Sequence, residues 1–133
     1  MTRSRTSARA AGTRFERTTA DYLAQALDDD RIDRRARTGA KDRGDIAGIR
    51  IHGQRVVVEC KDTARVTLPA WTVEAHTEAD NDGALVGVVI HKRHGTADPG
   101  RQWVAMTVDD LVALLTGHRH GHRADTANAP VTP

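Results

Sequence analysis

Cysteine and aromatic residues are scarce in this sequence of 133 residues. Cys60 is the only cysteine, which excludes an intrachain disulfide and a zinc site built from several cysteines. Aromatic residues make up 3% of the chain, so valine, isoleucine, leucine and alanine have to fill the core. A chain without disulfides is typical of a reducing compartment, and we therefore expect a cytoplasmic protein.

Long hydrophobic runs are also missing. No apolar segment approaches the ~20 residues that a membrane-spanning helix needs, so we expect no membrane partner. We also expect no small-molecule cofactor. Residues 1–11 are rich in Arg, Ser and Thr, which predicts a disordered basic arm, although a transit peptide has a similar composition. We expect one folded domain over residues 12–116 and a disordered tail, rich in His and Arg, over residues 117–133.

Basic residues are dominated by arginine and are unevenly distributed. The chain has 17 Arg and 3 Lys with a net charge of only +2. Arginine suits phosphate oxygens because its planar guanidinium donates several hydrogen bonds at once. Basic residues cluster within residues 3–17 and within residues 31–43, and these clusters indicate a surface for DNA. The alternative is a solvated basic face. The residues that we predict to contact DNA are Arg14, Arg17, Arg34, Arg35, Arg37, Lys41 and Arg43.

Hydrophobic spacing and turn residues predict an α/β fold with a mixed β-sheet flanked by helices. A β-hairpin around His52-Gly53-Gln54 is the clearest element, because β-type segments lie on both sides of it. The predicted elements are a helix from Thr13, a strand within 31–37, hairpin strands over 45–51 and 55–61, a helix over about 69–80, strands over 84–91 and 102–106, and a last helix capped by Thr107 with Leu111, Leu114 and Leu115 facing inward.

The end of this hairpin carries the strongest chemical signal. Alternate residues of a strand point to opposite faces, so Glu59 and Lys61 project together, away from Cys60. Folding the hairpin places Asp45 opposite residue 59, 60 or 61. Adjacent carboxylates repel unless a cation joins them, and hard oxygen ligands suit Mg²⁺, or Mn²⁺ in its place. We predict Asp45, Glu59 and the backbone carbonyl of Cys60 as metal ligands, with Lys61 acting on the water or the transition state.

These residues resemble a known nuclease motif. Gly44-Asp45, thirteen intervening residues and Glu59-Cys60-Lys61 are similar to the PD-(D/E)XK signature. Glu16 lies in a preceding predicted helix and resembles the first-helix acid of archaeal and phage Holliday-junction resolvases in that superfamily. Thr38, before the Asp, stands where those resolvases carry a Ser-Gly loop. The resemblance covers roughly residues 12–115, with Gly44 in place of the usual Pro and Thr38 in place of Ser.

The resemblance implies a restriction-endonuclease-like fold in the order α-β-β-β-α-β-β-α and a homodimer with two active sites. It implies catalytic roles for Asp45, Glu59, Lys61, Glu16 and Thr38, with Glu16 bound to the metal through water. The function implied is metal-dependent hydrolysis of branched DNA at Holliday junctions, in a bacterium or a phage-infected host. The alternatives are a restriction-type or repair endonuclease for duplex DNA, a nuclease for RNA, and a non-catalytic DNA-binding module.

Individual residues also have simpler interpretations. Asp45, Glu59 and Lys61 together form either this site or a surface ion-pair cluster on a hairpin. Glu16 also fits a capping box with Thr13. Several further residues have two interpretations each: they belong to the site or contact DNA, or they are ordinary core or solvent-exposed residues. They are Glu74, His76, His91, His94, Trp71, Trp103 and the His-rich tail.

Overall fold

The computed structural model describes residues 4–36 and 41–120. In this part the helices are α1 (Arg5–Ala26), α2 (Leu68–Asp82) and α3 (Val108–Thr116), with a short 3₁₀ helix at Pro99–Arg101. The strands are β1 (Asp33–Arg34), β2 (Ile46–Ala47), β3 (Arg50–Ile51), β4 (Gln54–Lys61), β5 (Val86–His91) and β6 (Trp103–Ala105).

The six strands form one sheet in the order β1-β2-β4-β5-β6, with β3 beside the first part of β4. Strands β4 and β5 run parallel, and the remaining pairs are antiparallel. A parallel pair needs a crossover connection, which α2 supplies between β4 and β5. The predicted class, an α/β protein with a mixed sheet flanked by helices, is confirmed.

The helices cover both faces of the sheet. Helices α1 and α3 pack against one face, where Phe15 and Ala113 join a core that includes Val58 and Val86. Helix α2 packs against the other face, in contact with β4 and β5. Gly87 makes this second packing close, because a Cβ there would collide with the backbone carbonyl of Ala75.

Helix α1 begins earlier than the sequence predicts. It starts at Arg5, not Thr13, so the expectation of a disordered arm over residues 1–11 is wrong for residues 5–11. Ser4 caps the helix by accepting a hydrogen bond from the backbone N–H of Ser7 at 3.1 Å. The buried side chain of Ala11 extends the packed stripe of the helix N-terminally. This stripe was missed because alanine contributes little to hydrophobic periodicity. Residues 1–3 lie outside the described residues.

The predicted hairpin is present, but its first strand is broken into β2 and β3. His52 and Gly53 form the two-residue turn, both with positive φ. Arg50 pairs with Arg55, whereas Ile46 pairs with Val58, so the first strand carries one extra residue between the two ladders. This β-bulge contains Gly48, whose φ of 91° favours glycine. Because of the bulge, the register places Asp45 beside Glu59 and not beside Cys60.

Helix α3 confirms its predicted cap, but its packing differs from the prediction. Thr107 and Asp110 form a reciprocal capping box. Leu114 packs against the core, whereas Leu111 and Leu115 are exposed, which corrects the expectation that all three face inward. Ala113 occupies the contact with the sheet instead, because the small side chain lets the helix approach closely.

The tail does not start where it was predicted to start. Gly117 ends α3 in the left-handed conformation, and Arg119 turns back to donate hydrogen bonds to Asp110 and, at 3.1 Å, to the backbone carbonyl of Leu85. Gln54 of the hairpin donates to the carbonyl of Gly117 at 2.8 Å. Residues 117–120 are thus part of the folded domain, and residues 121–133 lie outside the described residues.

Across the described ranges, none of the helices combines the length and the apolar character required to traverse a lipid bilayer.

Candidate metal centre

Strand β4 ends with two charged residues on the face that α2 covers. Val57 packs against α2, and Glu59 and Lys61 follow it at the spacing of two that keeps side chains on one face. Val58 and Cys60 face the opposite core, as predicted from the alternation. Glu59 is only 3% exposed, so its carboxylate stands in a region from which water is largely excluded.

Asp45 lies beside Glu59, at the position directly before β2. Its backbone N–H donates to the carbonyl of Val58 at 2.9 Å, which extends the β2–β4 ladder by one step. Its Oδ2 accepts a hydrogen bond from the backbone N–H of Cys60 at 2.8 Å. The hairpin thus brings Asp45 and Glu59 together, at one end of the sheet.

Both carboxyl groups are difficult to ionise together. Burial, followed by the contact with Glu59, raises the pKa of Asp45 to about 8. Burial also raises the pKa of Glu59 to about 8. The hydrogen bond that a protonated Asp45 carboxyl donates to Glu59 opposes this rise, whereas Glu78 adds to it. Such shifts are expected where carboxylates leave water and face one another without a compensating cation.

Two further acids belong to this site, and the sequence interpretation did not select them. Asp42 lies in the loop before Asp45, and Glu78 lies on α2. Each has a carboxylate oxygen that, with one of Glu59, forms a group whose members lie within 4.8 Å of one another. Glu78 is 5% exposed, and burial raises its pKa to about 7. Its position one turn after Glu74, on the helix expected to face the site, was the available signal.

Gly44 allows the loop to hold Asp42 and Asp45 against β4. Its φ of 95° is unfavourable for residues with a side chain, and a Cβ would lie 2.8 Å from Cγ1 of Val57. Its backbone N–H donates to Oδ1 of Asp42 at 2.9 Å. Proline has a fixed negative φ and no N–H, so it fits neither requirement. The conformation of this loop therefore requires Gly44 at the position where the motif usually has proline.

Lys61 forms an ion pair with Glu74. Its Nζ donates to Oε2 of Glu74 at 2.6 Å, across the space between β4 and α2. Burial alone would lower the pKa of Lys61, but the hydrogen bond to Glu74 and the charges of nearby Glu59 and Asp45 outweigh it and raise the pKa. The side chain is thus held in place as an ammonium at neutral pH.

Glu16 approaches the site from α1. Arg34 donates to its Oε2 at 2.7 Å, and Asp45 lies close enough to influence its ionisation. Burial raises the pKa of Glu16, Arg34 opposes the rise, and Asp45 adds to it. Thr13 lies inside α1, not at its start, so the interpretation of Glu16 as part of a capping box is wrong.

Cys60 contributes its backbone N–H to the site, while its thiol faces the opposite core. Burial, followed by the charges of Asp45, Glu16 and Glu59, raises the pKa of the thiol, which keeps it uncharged. A role of its backbone carbonyl as a metal ligand stays a prediction.

The predicted DNA-contacting residues are placed around these acids and on α1. Arg34 pairs with Glu16, and Arg17 pairs with Asp21 and Asp33. The backbone N–H of Arg35 donates to the carbonyl of Asp45 at 2.7 Å, and its buried Nε has no hydrogen-bond partner among the described residues. The exposed members of the set are Arg14, Arg17, Lys41 and Arg43. Arg37 and Thr38 lie outside the described residues.

The remaining candidates divide between the core and the surface. His76 is buried and hydrogen bonds to Asp110 at 2.7 Å, which assigns it to the core. Trp71 is also buried and packs against Ala75 and Val89. Trp103 is 47% exposed at the edge of the sheet, with the guanidinium of Arg93 stacked 4.4 Å from its ring centre.

The chain matches no family model, no curated protein and no solved structure among those compared with it. A function therefore has to be argued from the residues and geometry of the site.

The donor set fits a hard divalent cation. Asp42, Glu59 and Glu78 have carboxylate oxygens within 4.8 Å of one another, and Asp45, which is not a member of that group, adds a carboxylate beside Glu59. Carboxylate oxygen is the ligand type that Mg²⁺ and Mn²⁺ prefer. Oε2 of Glu78 is buried without a hydrogen-bond partner among the described residues. A buried oxygen of this kind is costly unless a proton or a cation reaches it.

Proposed function

We propose that this protein is a divalent-metal-dependent DNA endonuclease of the PD-(D/E)XK type, with a restriction-endonuclease-like arrangement of its sheet and helices. The observation that carries the proposal is the contact between the half-buried carboxyl group of Asp45, which directly precedes β2, and the buried carboxyl group of Glu59 on β4, with Lys61 two residues further along. Adjacent carboxylates with raised pKa values are uncommon in structural roles, whereas a metal-dependent nuclease uses oxygen donors of this type to bind its cation.

Asp45, Glu59 and the backbone carbonyl of Cys60 would hold Mg²⁺ or Mn²⁺. When bound, such a cation polarises the scissile phosphate and lowers the pKa of a coordinated water. The N–H of Cys60 orients the Asp45 carboxylate, since Oδ2 accepts its hydrogen bond at 2.8 Å. Glu16, held by Arg34, would accept a hydrogen bond from a metal-bound water.

Lys61 supplies positive charge at the place where negative charge develops. Its raised pKa supports a role as an ammonium that stabilises the transition state, and argues against proton abstraction by its neutral amine. Glu74 positions the ammonium on the α2 side of the sheet. Thr38 remains a proposed contact to the phosphate.

The basic residues near the acids would bind the DNA backbone. Lys41 and Arg43 flank Asp42 in the same loop and are exposed, which suits phosphate contacts beside the reacting bond. One small domain has little surface left for base readout, which favours recognition of DNA shape. We therefore propose a homodimer that cuts four-way junctions at two centres, in the cytoplasm of a bacterium or phage-infected host.

The proposal is tested by incubating purified protein with four-way junction, duplex and single-stranded DNA in Mg²⁺ and in EDTA. We expect paired nicks near the branch point in Mg²⁺ and none in EDTA. Asp45→Ala, Glu59→Ala and Lys61→Ala should each lower the cleavage rate by on the order of 10²-fold or more. Junction affinity, measured by gel shift, should stay within about threefold, because the arginines supply it.

Asp109→Ala is the matched control, because Asp109 is an exposed acid on α3, and it should cut at the wild-type rate. Undiminished cleavage by Glu59→Ala would exclude the site. Preferential cleavage of linear duplex would support the nuclease and replace the junction by a duplex substrate. Binding without cleavage under all metal conditions would leave a non-catalytic DNA-binding module.

A further inference from the structure

We propose that the cavity beside Trp103 binds one unpaired nucleobase of the DNA strand whose phosphate lies at Lys61. The inference rests on the proposed function, because it assumes that DNA reaches the end of β4. It adds a binding subsite that favours branched DNA over continuous duplex, since a base has to leave its own stack before it can stack on a side chain.

The cavity lies at the ends of the parallel strands β4 and β5 and at the start of β6. Its volume of about 460 Å³ falls within the ~300–1,000 Å³ that is typical of ligand pockets. Two imidazoles and one indole line it together with smaller polar and apolar side chains. The residues that matter here are Asp62, Thr63, Val66, His91, His94 and Trp103.

A row of cross-strand neighbours connects this cavity to Lys61. His91 pairs with Lys61 on β4 and with Trp103 on β6. Residues that pair across a sheet point to the same face, so the three side chains stand side by side on the face that α2 covers. Neighbouring strands are ~4.8 Å apart, which places Trp103 roughly 10 Å from Lys61. A base in the cavity therefore belongs to a nucleotide close to the phosphate at Lys61.

Further contacts fix the rings that line the cavity. The ring centre of His91 lies 5.2 Å from that of the buried Trp71 on α2. The guanidinium of Arg93 lies 4.4 Å from the ring centre of Trp103. Trp103 is still 47% exposed, so its indole retains surface for a second flat ring. An exposed aromatic side chain whose orientation is already restricted loses little entropy when a base stacks on it.

The charged groups of the cavity favour a base over a phosphate. Asp62 lies in the lining, and its carboxylate repels an anion. The ammonium of Lys92 is engaged by backbone, because it donates to the carbonyl of Arg93 at 2.8 Å and to that of Thr96. Burial lowers the pKa of His91, so its imidazole is uncharged at neutral pH. An uncharged aromatic ligand fits this lining, and in a nucleic acid that ligand is the base.

Tryptophan fluorescence tests the proposal, because the chain has two tryptophans, of which Trp71 is buried and Trp103 is exposed. A single-stranded oligothymidylate and a blunt duplex of the same length are titrated into the full chain in EDTA. We expect the single strand to quench the emission and the duplex to leave it nearly unchanged.

Two substitutions of Trp103 separate the ring from its signal. Trp103→Ala should bind the single strand roughly 5- to 100-fold more weakly, which is the loss expected for one stacked base. Trp103→Phe keeps a ring for stacking, so its affinity should stay within about threefold of the wild type while the quenching disappears.

An abasic scan of a four-way junction locates the base. Bases beside the branch point are removed one at a time, and affinity is measured by gel shift in EDTA. At one position the removal should weaken wild-type binding by the same factor as Trp103→Ala, and it should not weaken that variant further. Leu115→Ala is the matched control, because Leu115 is an exposed apolar residue on α3, on the opposite side of the sheet, and it should behave as the wild type. Circular dichroism checks that each variant folds.

The outcomes separate this inference from the proposed function. Equal quenching by duplex and single strand, or unchanged affinity in Trp103→Ala, would overturn the subsite, and intact cleavage would then leave the nuclease standing. Quenching by thymidine monophosphate without quenching by the oligonucleotide would also overturn it, in favour of a site for a free nucleotide. The predicted quenching and affinities without cleavage of any DNA would support the subsite and overturn the nuclease. Absence of all DNA binding would overturn both.

Discussion

Buried carboxylates occur at two places in this molecule, at Asp110 near the start of α3 and in the cluster of acids around Glu59 on β4. Asp110 is fully buried, and it accepts hydrogen bonds from His76, Thr107 and Arg119. In the cluster of Asp42, Asp45, Glu59 and Glu78, which we call the acidic cluster, Glu59 and Glu78 are buried. Burial and neighbouring acids raise the pKa values of Asp45, Glu59 and Glu78. Asp110, Glu59 and Glu78 are all buried carboxylic acids, but the groups that form hydrogen bonds or charge contacts with them differ.

The ionisation of the two groups reflects this difference. Burial alone would raise the pKa of Asp110, but its hydrogen bonds outweigh burial and lower the pKa to about 2. In the acidic cluster, burial and repulsion raise the pKa of Asp45 and Glu59 to about 8. Asp110 is a buried acid that the fold compensates, which is typical of a structural role, whereas the raised pKa values of Asp45 and Glu59 are typical of a functional site that binds a cation.

The largest expected effect is the loss of stability on removing the compensated acid. Asp110→Ala leaves Arg119 and His76 without their buried partner, and it should lower the free energy of unfolding by about 3–5 kcal/mol. Urea unfolding measures this loss. Asp109→Ala, a neighbouring exposed acid, should change stability by less than about 1 kcal/mol. Similar losses in both variants would show that Asp110 acts only through the start of α3.

The pH dependence of stability should differ in direction between the two groups. Because the pKa of Asp110 is lowered from 3.8 to about 2, its contribution is present above about pH 4 and lost as the pH falls through 2. Because the pKa values of Asp45 and Glu59 are raised to about 8, stability is lost as the pH rises from about 4 through 8.

In EDTA, the free energy of unfolding should therefore be highest near pH 4 to 5 and fall by at least about 2 kcal/mol on each side. Urea titrations at pH 2, 5 and 8 measure this profile. Added Mg²⁺ should remove most of the fall toward pH 8. A steady rise in stability from pH 5 to 8 in EDTA would contradict the account of the acidic cluster.

Neutralising one uncompensated acid should stabilise the metal-free protein. Glu78→Gln keeps the shape of the side chain and removes a repelling charge, so the free energy of unfolding at pH 8 in EDTA should increase by about 2 kcal/mol. In saturating Mn²⁺ the wild type should become the more stable form, because it binds the ion more tightly. Glu78→Gln that is less stable than wild type in EDTA would show that this carboxylate is structural.

The smallest effect concerns the loop that carries two of the acids. Gly44→Ala would place a side chain at φ near 95° and its Cβ 2.8 Å from Cγ1 of Val57. The substitution should lower the free energy of unfolding by roughly 1 kcal/mol and weaken Mn²⁺ binding. Thermal unfolding and Mn²⁺ titration measure both effects. Gly12→Ala is the control, because Gly12 lies within α1 with open space around it, and it should stabilise the protein slightly. Equal Mn²⁺ affinity in both variants would separate Gly44 from the site.

The structure confirms much of what the local pattern predicts. The alternation along β4 correctly places Glu59 and Cys60 on opposite faces, and Thr107 correctly marks the start of α3. Both predictions concern residues a few positions apart, where backbone geometry alone sets direction. The predicted start of α1 at Thr13 was wrong, because alanine-rich helical turns lack a clear hydrophobic stripe and depend on their tertiary contacts.

The sequence by itself determined the pairing of the two hairpin strands through the His52-Gly53 turn and the shared face of Glu59 and Lys61. Only the tertiary structure decided which acids lie together around Glu59. The bulge at Gly48 shifts the register by one residue, and the packing of α2 on β4 brings Glu78 to Glu59 and Asp42. The physical reason is that helix packing and bulges depend on contacts between residues far apart in the chain, which spacing along the sequence does not encode.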